Sequence, residues 1–263
     1  MYQRNGTYYT EEHSISFGEL VTENSVTAFQ PYANTWTDWH LIPSTRPAVA
    51  HPNVVTKFIE IPGADGMLDL SEYLSGKVNF GQRQGSFAFH VDNGHENWES
   101  LRMRIASLLH GKRLKMVLED DPGYYYEGRF TVGNWETGAD HSNIQITYQL
   151  DPYKMRMVTE GSSETIWDTF NFETDYDYSV MSPTILVQNG ETKNFDIYSD
   201  DCAFTVNAIW VTGNVIVSFG GVTKTLSAAG NVTLGRASPG RSTLSVKGNN
   251  NGAVKVEWRR GVL

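Results

Sequence analysis

One cysteine, Cys202, among 263 residues excludes an internal disulfide framework, so the fold has to be held by packing. Also missing is any uncharged apolar run near the ~20 residues that cross a membrane. The opening Met1-Tyr2-Gln3-Arg4-Asn5-Gly6 has no apolar stretch of signal-peptide length. The expectation is a soluble chain, made in the cytoplasm and without a membrane partner. Positive charge is scarce, with 21 Lys and Arg against 30 Asp and Glu and a formal net charge of -9. A protein that tracks a nucleic-acid backbone needs the opposite balance. No Gly-x-Ser-x-Gly elbow, no phosphate-cradling Gly-x-x-x-x-Gly-Lys-Ser/Thr and no Gly-x-Gly-x-x-Gly accompanies a strand and helix. Nucleophilic hydrolases and nucleotide enzymes lose their usual signatures, and no cofactor is expected.

Aromatic residues are abundant: 7 Trp, 13 Tyr and 12 Phe. The length suits two domains that each bury a core. One helix is legible, since Trp98, Leu101, Ile105 and Leu108 recur at three- and four-residue spacing and Gly111 supplies a left-handed stop. The period then changes to two. Leu114, Met116 and Leu118 alternate, Asp121-Pro122-Gly123 reads as a type II turn, and Tyr124, Tyr126, Phe130 and Val132 share a strand face on which Gly128 marks a bulge or a close backbone approach. After a polar turn, Ile144, Ile146, Tyr148 and Leu150 complete a three-stranded meander. In the N-terminal third, Val54 to Ile61 reads as a strand and Pro62 to Gly66 as a double turn. The polar segment Glu160 to Glu164 reads as a linker or an exposed loop, with the domain boundary near it.

Beyond it nearly everything reads as strand: Ile185 to Val187, Phe204 to Ile209, Val215 to Phe219, Val222 to Leu226, Ser242 to Lys247 and Ala253 to Trp258. Gly220-Gly221 fits a two-residue hairpin turn, and Gly248 to Gly252 forms a longer connection. Short strands at such spacing indicate an antiparallel sandwich. The fold class is therefore mainly β: residues 1–155 as a β-rich barrel or sandwich domain with one helix, and residues 156–263 as a β-sandwich.

Several clusters admit two readings. Glu119, Asp120 and Asp121 have the chemistry of a glycosidase acid and nucleophile, or are turn carboxylates that face water. His90, Asp92, His95 and Glu96 contain metal-ligand types, but no second cluster completes a zinc set. Asp65 to Asp69 starts like a calcium loop but lacks its alternating oxygens and closing glutamate. No metal is expected. Arg102, Arg104, Lys112, Arg113 and Lys115 form either a basic patch or a solvated helix face leading into a strand edge. Trp167, Trp210 and Trp258 either stack on sugars or fill the core.

The segments Phe17-Gly18, Asn34-Thr35-Trp36-Thr37-Asp38-Trp39, Ile61 to Gly66 with Leu68-Asp69-Leu70, Phe80-Gly81-Gln82-Arg83, His110-Gly111-Lys112, Asp120-Asp121-Pro122 with the tyrosine run, and Asp151-Pro152-Tyr153-Lys154 stand in a fixed order. In that order the chain resembles the distal tail proteins of long-tailed (siphovirus-type) bacteriophages or prophages. The resemblance covers residues 15–155 by motif and the remainder by strand pattern. It implies a non-catalytic virion protein of the tail tip or baseplate. In such a protein the first domain closes a six-subunit ring and a galectin-like sandwich follows. The implied partners are further copies of the chain, the tail tube protein, the tail-associated protein and a receptor-binding protein used in host adsorption. A closed ring needs two different patches on each subunit. Trp36, Trp39, Tyr124 and Tyr125 are the expected contributors. The galectin sugar-binding set is not found, which leaves carbohydrate binding as the alternative function without a motif.

Overall fold

The computed structural model describes residues 2–4, 7–9, 13–23, 26–63, 65–73, 76–91, 97–137, 142–157, 159 and 184–263. The chain divides into two compact units, one of residues 1–20, 29–154 and 263 and the other of residues 21–28 and 155–262. The division is therefore not a single cut in the sequence. Glu160 to Glu164, the expected linker, lies outside the described residues.

In chain order the elements begin with β1 (Tyr2–Arg4), β2 (Thr7–Tyr9), β3 (Ile15–Glu23), β4 (Val26–Asn34), β5 (Leu41–Pro43), β6 (Val54–Val55), β7 (Phe58–Glu60), β8 (Met67–Asp69), β9 (Asn79–Phe80) and β10 (Arg83–Val91). Helix α1 (Trp98–Leu109) precedes β11 (Arg113–Leu118), β12 (Tyr124–Thr137), β13 (Ser142–Leu150) and the short β14 (Lys154–Arg156).

The main sheet of the first unit runs β4-β3-β11-β12-β13-β10-β5. Its centre is the meander read from the alternating residues, with Met116 opposite Tyr126 and Val132 opposite Ile146. The inward positions of β13 are buried from Ile144 to Leu150, as period two requires. They form one core with Ile15, Phe17, Leu41, Phe89 and Phe130, and the Phe17 and Phe130 rings meet edge to face at 5.0 Å. Helix α1 adds Trp98, Leu101, Ile105 and Leu109 to this core, while Leu108 is only partly buried. The sequence spacing picked Leu108 as the fourth inward residue. The two differ because a stripe followed along i, i+3, i+4 drifts around a 3.6-residue helix. Gly111 ends the helix at φ 75, and its N–H donates to Phe130 O at 2.8 Å.

Two local readings change. The turn before β12 is closed by Tyr124 N–H to Asp121 O at 3.2 Å, but Gly123 is not among the glycines of positive φ. The positive φ that a type II turn needs at its third residue is not present. Val54 to Ile61 is not one strand: β6 pairs with β9, and β7 pairs with β8. Gly128 does mark a close approach, since a Cβ there would stand 2.2 Å from Gln149 O, and the register shift lies further on, between Val132 and Trp135.

The second unit contains β15 (Ile185–Val187), β16 (Thr192–Ser199), β17 (Phe204–Thr212), β18 (Val215–Phe219), β19 (Val222–Leu226), β20 (Asn231–Ala237), β21 (Gly240–Gly248), β22 (Gly252–Trp258) and β23 (Gly261–Val262). Two four-stranded antiparallel sheets, β15-β22-β17-β20 and β16-β21-β18-β19, enclose a core that includes Val206, Val217, Leu244, Val256 and Trp258. The hairpin turn at Gly220-Gly221 has φ 56 and 78, the pair of positive values that a type I′ turn demands. The Gly248 to Gly252 connection carries the chain from one sheet to the other. Arg260, almost fully buried, closes the unit by donating from Nε and Nη2 to the Asp200 carboxylate at 2.9 and 2.5 Å.

Candidate functional site

Two of the three turn carboxylates that resemble catalytic acids are held by a cation, while Glu119 accepts from Ser14 Oγ at 3.5 Å. Asp120 accepts from Arg46 Nε at 2.7 Å and from His13 Nδ1 at 3.0 Å. Asp121 accepts from Lys154 Nζ at 2.7 Å. Further along the same edge, Glu127 accepts from Arg113 Nε and Lys115 Nζ at 3.0 and 3.1 Å, and Arg113 also bonds Asp151. Burial opposes charge on Glu127, yet Lys115 and Arg113 outweigh it and hold its pKa below the usual carboxylate range. A glycosidase needs one carboxyl kept protonated across a cleft from another. Asp120, Asp121 and Glu127 are instead paired with cations. The described clefts near α1 and across β12 and β13 are lined by other residues.

Each tyrosine of the run sits beneath a cation. The Lys154 ammonium lies 4.2 Å from the Tyr124 ring centre, Lys115 lies 5.6 Å from Tyr125, and the Arg83 guanidinium lies 5.5 Å from Tyr126. Burial pushes the Tyr126 hydroxyl pKa up. Of the four residues expected at a subunit contact, Trp39 is 2% and Tyr125 5% exposed in the single chain, whereas Trp36 and Tyr124 are partly exposed. Trp39 stacks near Phe17 at 5.9 Å. The turn that carries it is built on Asn34, whose Oδ1 accepts from Trp36 N and Thr37 N at 2.8 and 3.1 Å. The Asn34 to Trp39 motif therefore supports the core, and Trp36 and Tyr124 retain surface.

The other candidates have local partners. Asp69 accepts from the Ser71 backbone N–H at 2.8 Å, and His90 Nδ1 lies 2.5 Å from Asn143 Oδ1. Asp92, His95, Glu96 and Trp167 lie outside the described residues. Trp258 is buried, and the Trp210 indole N–H is taken by Gly213 O at 2.8 Å. Within the basic run, Arg102 pairs with Glu99, and Lys112 donates to Ser107 O at 2.6 Å.

A feature that the sequence reading missed lies between Asn53 and Phe80. Here β6–β9 and β7–β8 form two small ribbons outside the main sheet. Val54, Val55, Phe58, Ile59, Ile61, Met67, Leu68 and Tyr73 are all exposed, with Met67 at 63% and Tyr73 at 80%. Gly81 N–H donates to Asn53 O at 2.8 Å, so the two ends of this arm are adjacent. At its root, Ala50 N–H donates to Tyr148 Oη at 3.1 Å and Ala50 O accepts from Arg83 Nη1 at 3.0 Å. Arg83 is itself buried and also donates from Nε to Pro152 O at 2.8 Å. Isolated exposed apolar residues are ordinary, whereas this many within residues 54–73 make a candidate interaction surface. The available signal was Val54 to Leu70 itself, apolar on both sides of a double-glycine turn.

No family model matches the chain, and no curated protein matches it. A solved structure does: the crystal structure of the Dit protein (gp 19.1) of phage SPP1, described as a paradigm of the hub adsorption apparatus in phages that infect Gram-positive bacteria. The TM-score is 0.55 at 12% identity, over 95% of this chain and 99% of that one. The chain shares the fold of a phage hub protein. The SPP1 likeness spans the β-rich unit with its helix as well as the sandwich unit.

Proposed function

We propose that the chain is a structural component of a phage tail tip or baseplate, a distal tail protein that forms a six-subunit ring. In this reading the ring joins the tail tube to the tail-associated protein and to a receptor-binding protein, and the sandwich unit is galectin-like. The observation that carries the reading is the likeness to the SPP1 hub protein over nearly the whole of both chains. Two further features support it. Asp120, Asp121 and Glu127 serve ion pairs, and the exposed apolar arm gives the first unit a surface suited to a neighbour. A heterologous ring needs such a patch together with a different patch to receive it. Native mass spectrometry of the purified chain, over a range of concentrations, is expected to show a species of six chains. A strict monomer at the highest concentration, or a closed dimer, overturns the ring.

A further inference from the structure

The two strands at the tip of the arm present unequal faces. Opposite residues of an antiparallel pair share a face, and the register sets Phe58 against Asp69, Ile59 against Leu68 and Glu60 against Met67. One face thus carries Phe58 and Met67 together with the carboxylates of Glu60 and Asp69, and the other carries Ile59 and Leu68. All six residues are exposed. An apolar face that also bears two carboxylates fits a receiving surface that is apolar and basic.

Helix α1 offers one within the same unit. Its outer face carries Met103, 64% exposed, between two open clefts of about 520 and 540 Å³. Arg104 and Lys112, with the single acid Asp38, line the first cleft and Arg102 and His110 the second, so that cations outnumber carboxylates, with Ala106, Leu108 and Val132 as apolar lining. Arg104 has no ion-pair partner among the described residues, and neither has Glu60. We infer that the Phe58, Glu60, Met67 and Asp69 face of one copy's arm seats on the Met103 ridge of helix α1 in a second copy, with Glu60 against Arg104. The apolar residues supply the contact area, and the opposite charges set its orientation and register. This inference rests on the ring-forming reading, since each copy would then give its arm and receive another.

The test uses the buried state of Cys202, the chain's one cysteine. Met67→Cys and Met103→Cys each add one exposed thiol to the full chain. Oxidising an equimolar mixture of the two variants is expected to yield a covalent dimer containing one chain of each, and neither variant alone should yield one. Independently, Glu60→Lys is expected to weaken self-association by about tenfold or more, and Arg104→Glu added to the same chain to restore it. Full assembly with no mixed cross-link and no response to either charge change overturns this docking but leaves the tail-hub reading standing. A strict monomer of the parent chain overturns both the docking and the ring.

Discussion

At the scale of single residues, charged side chains hold backbone in place. Arg83 is the clearest case, because its guanidinium donates to Ala50 O and Pro152 O from a buried position over Tyr126. Arg83→Met keeps the length but removes the donor to both carbonyls, and a hydrogen bond to a charged group is worth about 1.5–3 kcal/mol. Thermal unfolding of this variant is expected at a clearly lower temperature than the parent. Gly128 is fixed by space and not by dihedral freedom. A Cβ would lie 2.2 Å from Gln149 O and 2.6 Å from Leu150 Cα, both backbone atoms that cannot swing away. Gly128→Ala is expected to destabilise by about 1–3 kcal/mol, the usual range for overpacking, as read by urea titration. Glu127 sets an acid limit. Its pKa is depressed in the folded state, so its stabilising contribution is present above the ordinary glutamate value of about 4.3 and is lost as pH falls through the folded value. Below about pH 4.3 the parent is expected to lose stability more steeply than Glu127→Gln, in urea titrations repeated across the acid range.

At the scale of elements, the helix and the meander were legible and the edges were not. The helix shows in the spacing of Trp98, Leu101 and Ile105, and β11 to β13 show in alternation because one face of each meets a core, whereas β3 and β10, interior in the same sheet, were not read. Strands β16 and β20 escaped notice. Each lies at the end of its sheet, and β16 reads Thr-Lys-Asn-Phe-Asp-Ile-Tyr-Ser, with two inward apolar residues among polar ones. Edge strands are commonly made polar in this way to avoid further pairing. The arm inverts that pattern. Its apolar residues have the composition of core strands but are exposed in the single chain. Because Asn53 and Gly81 already meet at 2.8 Å, residues 54–80 can be replaced by a short glycine-serine turn. The shortened chain is expected to unfold within a few degrees of the parent and to lose self-association in sedimentation or native mass measurements. A chain that still assembles without the arm would move the contact elsewhere.

At the scale of the whole molecule, two units with separate cores match one hub fold over 95% of the chain while sharing 12% of residues. Divergence of that size is tolerated because a core asks for apolar residues of suitable volume at the right period more than for particular side chains. The residues that the resemblance rests on fit this view. Asn34, Gly111 and Asp121 hold turns, and Arg83 and Lys154 clamp carbonyl or carboxylate groups. The Trp36 and Tyr124 surfaces remain the exposed part of the expected contact set. Trp36→Ala and Tyr124→Ala are expected to leave the fold intact while lowering assembly, and their effects should be smaller than that of removing the arm.

By itself the sequence determined the class of the molecule. One cysteine, a net charge of -9, a single 3.6-residue stripe and many two-residue alternations require a mainly β protein held by packing, because periodicity states which face each element buries. Only the tertiary structure decided which polar residues are partnered and which apolar residues are not. Asp120 meets His13 and Arg46 across 107 and 74 positions of sequence, so its role is invisible to any local pattern. Phe58 and Met67 are apolar, and they are surface because, among the described residues, no sheet or helix covers the arm they sit on.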